Sequence, residues 1–163
     1  MLSESQRHET DIMLGRAAMS PVGGEHKIAW AMSLVEQGVM SEALIILAGL
    51  SHPMNNFEIE DFVNRALSEL SIERPNPTVA LLRYAKALAL EVIREERPAE
   101  AAVVLICEVN THLNYPDELS RFPRLSDQWF CEHMEGWSEE RRREEIVRAC
   151  HELVTQINDP SRV

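Results

Sequence analysis

The chain has 163 residues, of which 45% are apolar and 26% charged, with a net charge of −11. That length and apolar content suit one domain, residues 1–163, with a core large enough to need no staples, and they argue against disorder. The acidity argues against direct DNA or RNA binding, which needs a clustered basic surface to displace counterions.

Helix signals then follow one another along the chain. Ser3-Glu4-Ser5-Gln6 has the form of a capping box and opens a helix to about Met19. This helix is weakly amphipathic, so residues 1–22 are expected to pack loosely and fray. Ser20-Pro21-Val22-Gly23-Gly24 breaks it. A second helix, about 25–37, sets Ile28, Ala31, Leu34 and Val35 on one face, and Gly38 closes it. Ser41 caps a third, about 42–50, which stops at Ser51-His52-Pro53. Asn55, with Glu58 three residues on, starts a fourth to about Leu70, with Ile59, Phe62, Val63, Ala66, Leu67 and Leu70 recurring at three and four. Asn76-Pro77 and then Pro98 start the fifth (to about Glu96) and the sixth (about 99–113), proline being harmless in a first turn.

From Asn114 to Trp137 the pattern loosens. Pro116 and Pro123 interrupt it, leaving a turn near 117–121 and a short helix near 125–134. Ser138 caps a last helix through about Asn158, apolar at Ile146, Cys150, Leu153 and Ile157. Glu139 with Arg143 and Glu144 with Arg148 are spaced to pair on its solvated face.

Residues 43–50, 79–93 and 101–109 are apolar on nearly every side, the pattern of helices buried in the centre of a layered fold. Ile45-Ile46-Leu47 and Val103-Val104-Leu105 are β-branched enough for strands. Their helix-start signals and the lack of hairpin turns favour helix. A shift of 58 residues lays Glu42-Ala43 on Glu100-Ala101 and Ile45-Ile46-Leu47 on Val103-Val104-Leu105. Two helical hairpins related in this way would stack as in an α-solenoid. The reading is therefore all-α, about seven helices, with either a compact helical bundle or two stacked hairpin pairs satisfying the pattern.

No stretch supplies the roughly 18 uninterrupted apolar residues of a membrane span. Met1-Leu2-Ser3-Glu4 lacks a basic region followed by an apolar one, so the chain reads as soluble and cytoplasmic. Cys107, Cys131 and Cys150 are odd in number and widely spaced, which suits reduced thiols, with Cys107 and Cys150 in the core.

Chemical motifs are scarce. There is no Gly-x-Ser-x-Gly, glycine-rich phosphate loop or His-Glu-x-x-His, so no catalytic, cofactor or metal residue is assigned. Cys131, His133, Cys150 and His151 come nearest to a metal set, but neighbours one or two apart diverge on a helix. Glu58 and Asp61 share a side of the fourth helix near its N-terminus, where a solvated acidic pair is favoured anyway. Glu108 interrupts an apolar run and either marks an exposed edge or needs a partner such as Arg83 or Lys86.

The stretch 115–137 holds five of the nine aromatics: Tyr115, Phe122, Trp129, Phe130 and Trp137. Aromatics in irregular segments either anchor protein interfaces or plug an open core, and these five are the candidate interaction residues. The acidity permits a basic protein partner, and it also serves solubility by itself.

The run Leu44-Ile45-Ile46-Leu47-Ala48-Gly49-Leu50, then Asn56-Phe57-Glu58 and Ala66-Leu67-Ser68-Glu69-Leu70, resembles small bacterial all-helical proteins, some associated with toxin–antitoxin or immunity roles. Phe122, Leu125, Trp129 and the Arg/Glu-rich last helix are compatible with it, over about 28–153. The resemblance rests on packing and capping residues. It implies a non-enzymatic interaction module of a bacterial cytoplasm, an acidic immunity-type protein with a basic partner. A ligand site or enzyme between helices, using Glu108, His112 and Arg83, and a homo-oligomeric structural protein are the alternatives.

Overall fold

A computed structural model describes residues 1–21, 23–50, 55–131 and 136–157. Among them the chain is all-helical, without strands: α1 (Glu4–Met19), α2 (Glu25–Glu36), α3 (Glu42–Ala48), α4 (Asn56–Glu69), α5 (Pro77–Ile93), α6 (Ala99–His112), a 3₁₀ turn (Asp117–Leu119), α7 (Phe122–Phe130) and α8 (Glu139–Ile157). Both β-branched runs are helical. The expected stop at Ser51-His52-Pro53 and the expected extension of the short helix to Met134 lie outside the described residues, as do Val22 and Asn158.

Local chemistry starts these helices. The Ser3 hydroxyl accepts from the Gln6 amide at 3.2 Å while the Gln6 side chain accepts from the Ser3 amide at 2.9 Å, a complete capping box. Ser41, Asn55, Asn76 and Ser138 accept from Leu44, Phe57, Val79 and Arg141 in the same way. Two bounds differ from the sequence reading. Helix α5 stops at Ile93 because Glu95 turns left-handed (φ 60°) and the Glu96 amide reaches back to the Glu91 carbonyl at 2.8 Å. Helix α7 begins at Phe122, so Pro123 sits in its first turn and does not interrupt it.

The chain packs as two compact units, Met1–Ala80 and Leu81–Val163. In the first, α1 lies on α2, α2 on α3 and α3 on α4 around a core that includes Leu14, Trp30, Leu34, Leu44, Leu47 and Val63. Helix α1, expected to pack loosely, buries Met13, Leu14 and Ala17, and its Thr10 hydroxyl accepts from the buried Trp30 indole at 3.1 Å. Glu69, at the end of α4, accepts from the Ser41 hydroxyl at 2.6 Å and the Ala43 amide at 3.2 Å. These bonds hold its carboxyl below the usual range and pin the α3 N-terminus to α4.

In the second unit α6, α7 and α8 pack together, with Ile106, Val109, Leu119, Phe122, Ile146 and Leu153 buried. Arg142 of α8 donates to the Gln128 and Trp129 carbonyls at 3.3 and 3.0 Å, satisfying the C-terminal end of α7. Arg121 pairs with Glu145 and Glu152 of α8. On α8 itself Arg143 meets Glu139 at 3.0 Å as its spacing suggests, but Arg148 meets Glu145 at 2.8 Å and not Glu144.

The expectation that α3 is buried on every side is overturned. Ala43, Leu44 and Leu47 are fully buried, whereas Ile45 and Ile46 are 46% and 37% exposed. An α-helix seven residues long, packed against α2 and α4, keeps one face that no other described element buries. The 58-residue shift is affected too. It lays exposed Ile45 on buried Val103, whereas the buried sets Ala43/Leu44/Leu47 and Ala102/Val103/Ile106 correspond at one residue more, a rotation of about 100° per residue.

Candidate functional site

The five aromatics of residues 115–137 separate into three kinds. Phe122 is 1% exposed and plugs the core. Trp129 and Trp137 are half-buried and covered by cations: the Arg141 guanidinium stands 4.5 Å from the Trp137 ring centroid, and those of Arg142 and Arg143 each stand 5.7 Å from Trp129. Tyr115 and Phe130 are 65% and 60% exposed. Interface-type exposure is thus confined to two of the five. Each arginine of the triplet Arg141-Arg142-Arg143 stands over an aromatic ring; Arg142 also bonds helix carbonyls, and Arg143 pairs with Glu139.

The remaining sequence candidates resolve by exposure. Glu58, Asp61, Glu108, His112 and Arg83 are all exposed, so Glu108 marks the outer edge of α6. Cys150 is fully buried, and burial pushes its thiol up to about 12. Cys107, expected in the core, is only half-buried, and its thiol is raised by that burial against a hydrogen bond from Ser126. His133 lies outside the described residues. Among the described ones no three His, Cys, Asp or Glu gather as a metal site. No described helix is long and apolar enough to cross a membrane.

Two features of the first unit escaped the sequence reading. One is Lys27, only 2% exposed, whose ammonium meets the Glu60 carboxylate and the Pro21 carbonyl at 3.4 Å. Glu60 also accepts from Arg74 at 2.9 Å, and Arg74 donates to Asn64 at 2.6 Å. Burial raises the Glu60 carboxyl, but the bonds from Lys27 and Arg74 outweigh it and the net shift is downward. Glu60 and Arg74 face a recess of about 280 Å³ shared with Leu14, Pro21 and Pro77. Next to Lys27, burial first and then the Lys27 and Arg16 charges lower His26 to about 4, and its Nε2 is buried without a hydrogen-bond partner. A lysine within an apolar helical face reads as surface by type, so only its partner 33 residues away could have signalled it.

The other feature is the outer side of α2 and α3. Exposed positions on α2 are Glu25, Ala29, Met32 and Glu36, and on α3 Glu42, Ile45 and Ile46 followed by Gly49. Each set recurs at three and four, so each forms a stripe along its helix, opposite the face that the helix buries in the shared core. The α2 stripe is apolar in the middle with a glutamate at each end, and the α3 stripe begins with Glu42 and is apolar beyond it. Phe57, which opens α4 beside Glu58, is 89% exposed. A reading that made α3 central could not find this surface, because its isoleucines look like core. No family model, curated protein or solved structure matches the chain.

Proposed function

We propose that this chain is a non-enzymatic protein-interaction module of a bacterial cytoplasm, an acidic immunity-type protein that binds and masks a basic partner. The observation that carries the reading is the pair of outward stripes on α2 and α3, where Met32 stands in solvent between Glu25 and Glu36, and Ile45 and Ile46 stand in solvent after Glu42. Apolar side chains exposed together with a polar rim are the usual anatomy of an interface. The excess of acid is shared about equally by the two units, so the field that steers a basic partner extends over the molecule.

The test is capture from native cell lysate at low and high ionic strength, followed by kinetics with the purified partner. One basic protein held at low salt and released at high salt is expected. Its association rate should fall steeply with salt while dissociation changes little. Association indifferent to ionic strength, or no protein held at either salt, removes the reading.

A further inference from the structure

We infer that the α2–α3 face receives a helix from its partner, one with an apolar stripe flanked by lysines or arginines. The inference rests on the basic-partner reading and adds the place and form of contact. The face consists of helix sides, whose backbone N–H and C=O groups are already bonded within α2 and α3. It therefore offers no edge to which an extended peptide could add a strand, and such a peptide would leave its own backbone unpaired against Met32 and the isoleucines. A helix brings its backbone already satisfied and presents only side chains.

The dimensions agree. From Glu25 to Glu36 the α2 stripe extends about 16 Å, three turns, which accommodates the roughly 10 Å over which a partner helix sets anchors at i, i+3, i+4 and i+7. Helices α2 and α3 pack on one another, so the two stripes lie on neighbouring helices against whose sides a third can pack. Gly49 leaves the end of the α3 stripe without a side chain.

Charge decides the flanks. Glu25 and Glu36 stand at the ends of the α2 stripe and Glu42 at the start of the α3 stripe, all exposed. A second copy of this chain laid symmetrically on the same face would bring these glutamates together, in a molecule already at −11. A basic helix turns the same rim into attraction.

The probe is a synthetic peptide with leucines at i, i+3, i+4 and i+7 and lysines beside them, compared with a scrambled peptide of the same composition. Binding to the full chain is read by isothermal titration and amide chemical shifts. The ordered peptide is expected to bind at low salt and shift Ala29, Met32, Ile45 and Ile46. Ile45→Gln with Ile46→Gln should weaken it about tenfold, since the apolar area it would cover is lost. Glu36→Lys with Glu42→Gln should weaken it at low salt by about tenfold as well, whereas Glu144→Lys with Glu140→Gln on α8, an equal change of net charge, should alter it less than about twofold.

Equal effects from the two charge pairs, or equal binding of the scrambled peptide, overturn the inference. Loss of binding with salt, together with no effect of any α2–α3 substitution, leaves the basic-partner reading standing and moves the contact elsewhere. Binding that ignores salt removes both. Self-association abolished by the isoleucine substitutions, read by sedimentation, also overturns the inference. Unchanged far-ultraviolet circular dichroism and melting confirm that each variant is folded.

Discussion

Glu60→Ala and Lys27→Met each break the same ion pair, and the structure predicts unequal consequences. Lys27 is 2% exposed, and among the described residues its ammonium meets only Glu60 and a carbonyl at 3.4 Å. Removing the carboxylate strands an ammonium in the core, an error worth about 3–5 kcal/mol for a fully buried pair. Glu60 is one-third exposed, so water can enter where its side chain is removed, and about 2–3 kcal/mol is expected. In Lys27→Met the thioether fills the same apolar channel, and Glu60 keeps Arg74 at 2.9 Å and its contact with solvent. That change should stay within about 1 kcal/mol of the parent chain. Urea unfolding followed by Trp30 fluorescence, in a background carrying Trp129→Phe and Trp137→Phe, isolates the first unit. At an m-value of about 1–2 kcal/mol/M the midpoint of Glu60→Ala should fall by roughly 1–3 M and that of Lys27→Met by much less. The pair also sets a pH response. Because the folded carboxyl of Glu60 lies below 4.5, its contribution is present above that pH and is lost as pH falls through the folded value, a loss that Lys27→Met should reduce. Equal destabilisation by the two substitutions would refute the argument, since it would mean that attraction within the pair exceeds the cost of burying the lysine.

Three further outcomes follow from buried groups. Thr10→Val removes the acceptor of the buried Trp30 indole and should destabilise the first unit by about 1–2 kcal/mol in the same urea assay. His26 should titrate near 4 by proton magnetic resonance; because the unfolded chain binds its proton near 6.5, stability should fall as pH drops between these values, and His26→Leu should flatten that slope. Cys150, buried with its thiol raised to about 12, should resist alkylation at neutral pH until the chain unfolds, whereas half-exposed Cys131 should react in the native state, as peptide mass mapping would resolve.

Much of the helical layout was legible in the sequence because helix starts are short-range events. Ser3, Ser41, Asn55, Asn76 and Ser138 each bond a backbone amide two or three residues ahead, so their roles follow from local order alone. Faces with a clear period were legible as well: Ile59, Val63, Ala66 and Leu67 on α4, and Ile146, Cys150 and Leu153 on α8, are buried as spaced. Phe62, expected beside them, is only partly buried and carries Arg65 at 5.2 Å over its ring.

Tertiary structure alone decided the rest. An apolar run such as Leu44-Ile45-Ile46-Leu47 has no period by which to choose a face. Only the placement of α2 and α4 beside α3 determines that Leu44 and Leu47 enter the core while Ile45 and Ile46 meet solvent. Phe122 and Phe130 likewise share a type and one short helix, yet packing buries the first and exposes the second. Lys27 enters the interior because Glu60 and Pro21 converge on its ammonium. Residue type and spacing fix where a helix begins, but burial is a property of neighbours, and these neighbours arrive from distant parts of the chain.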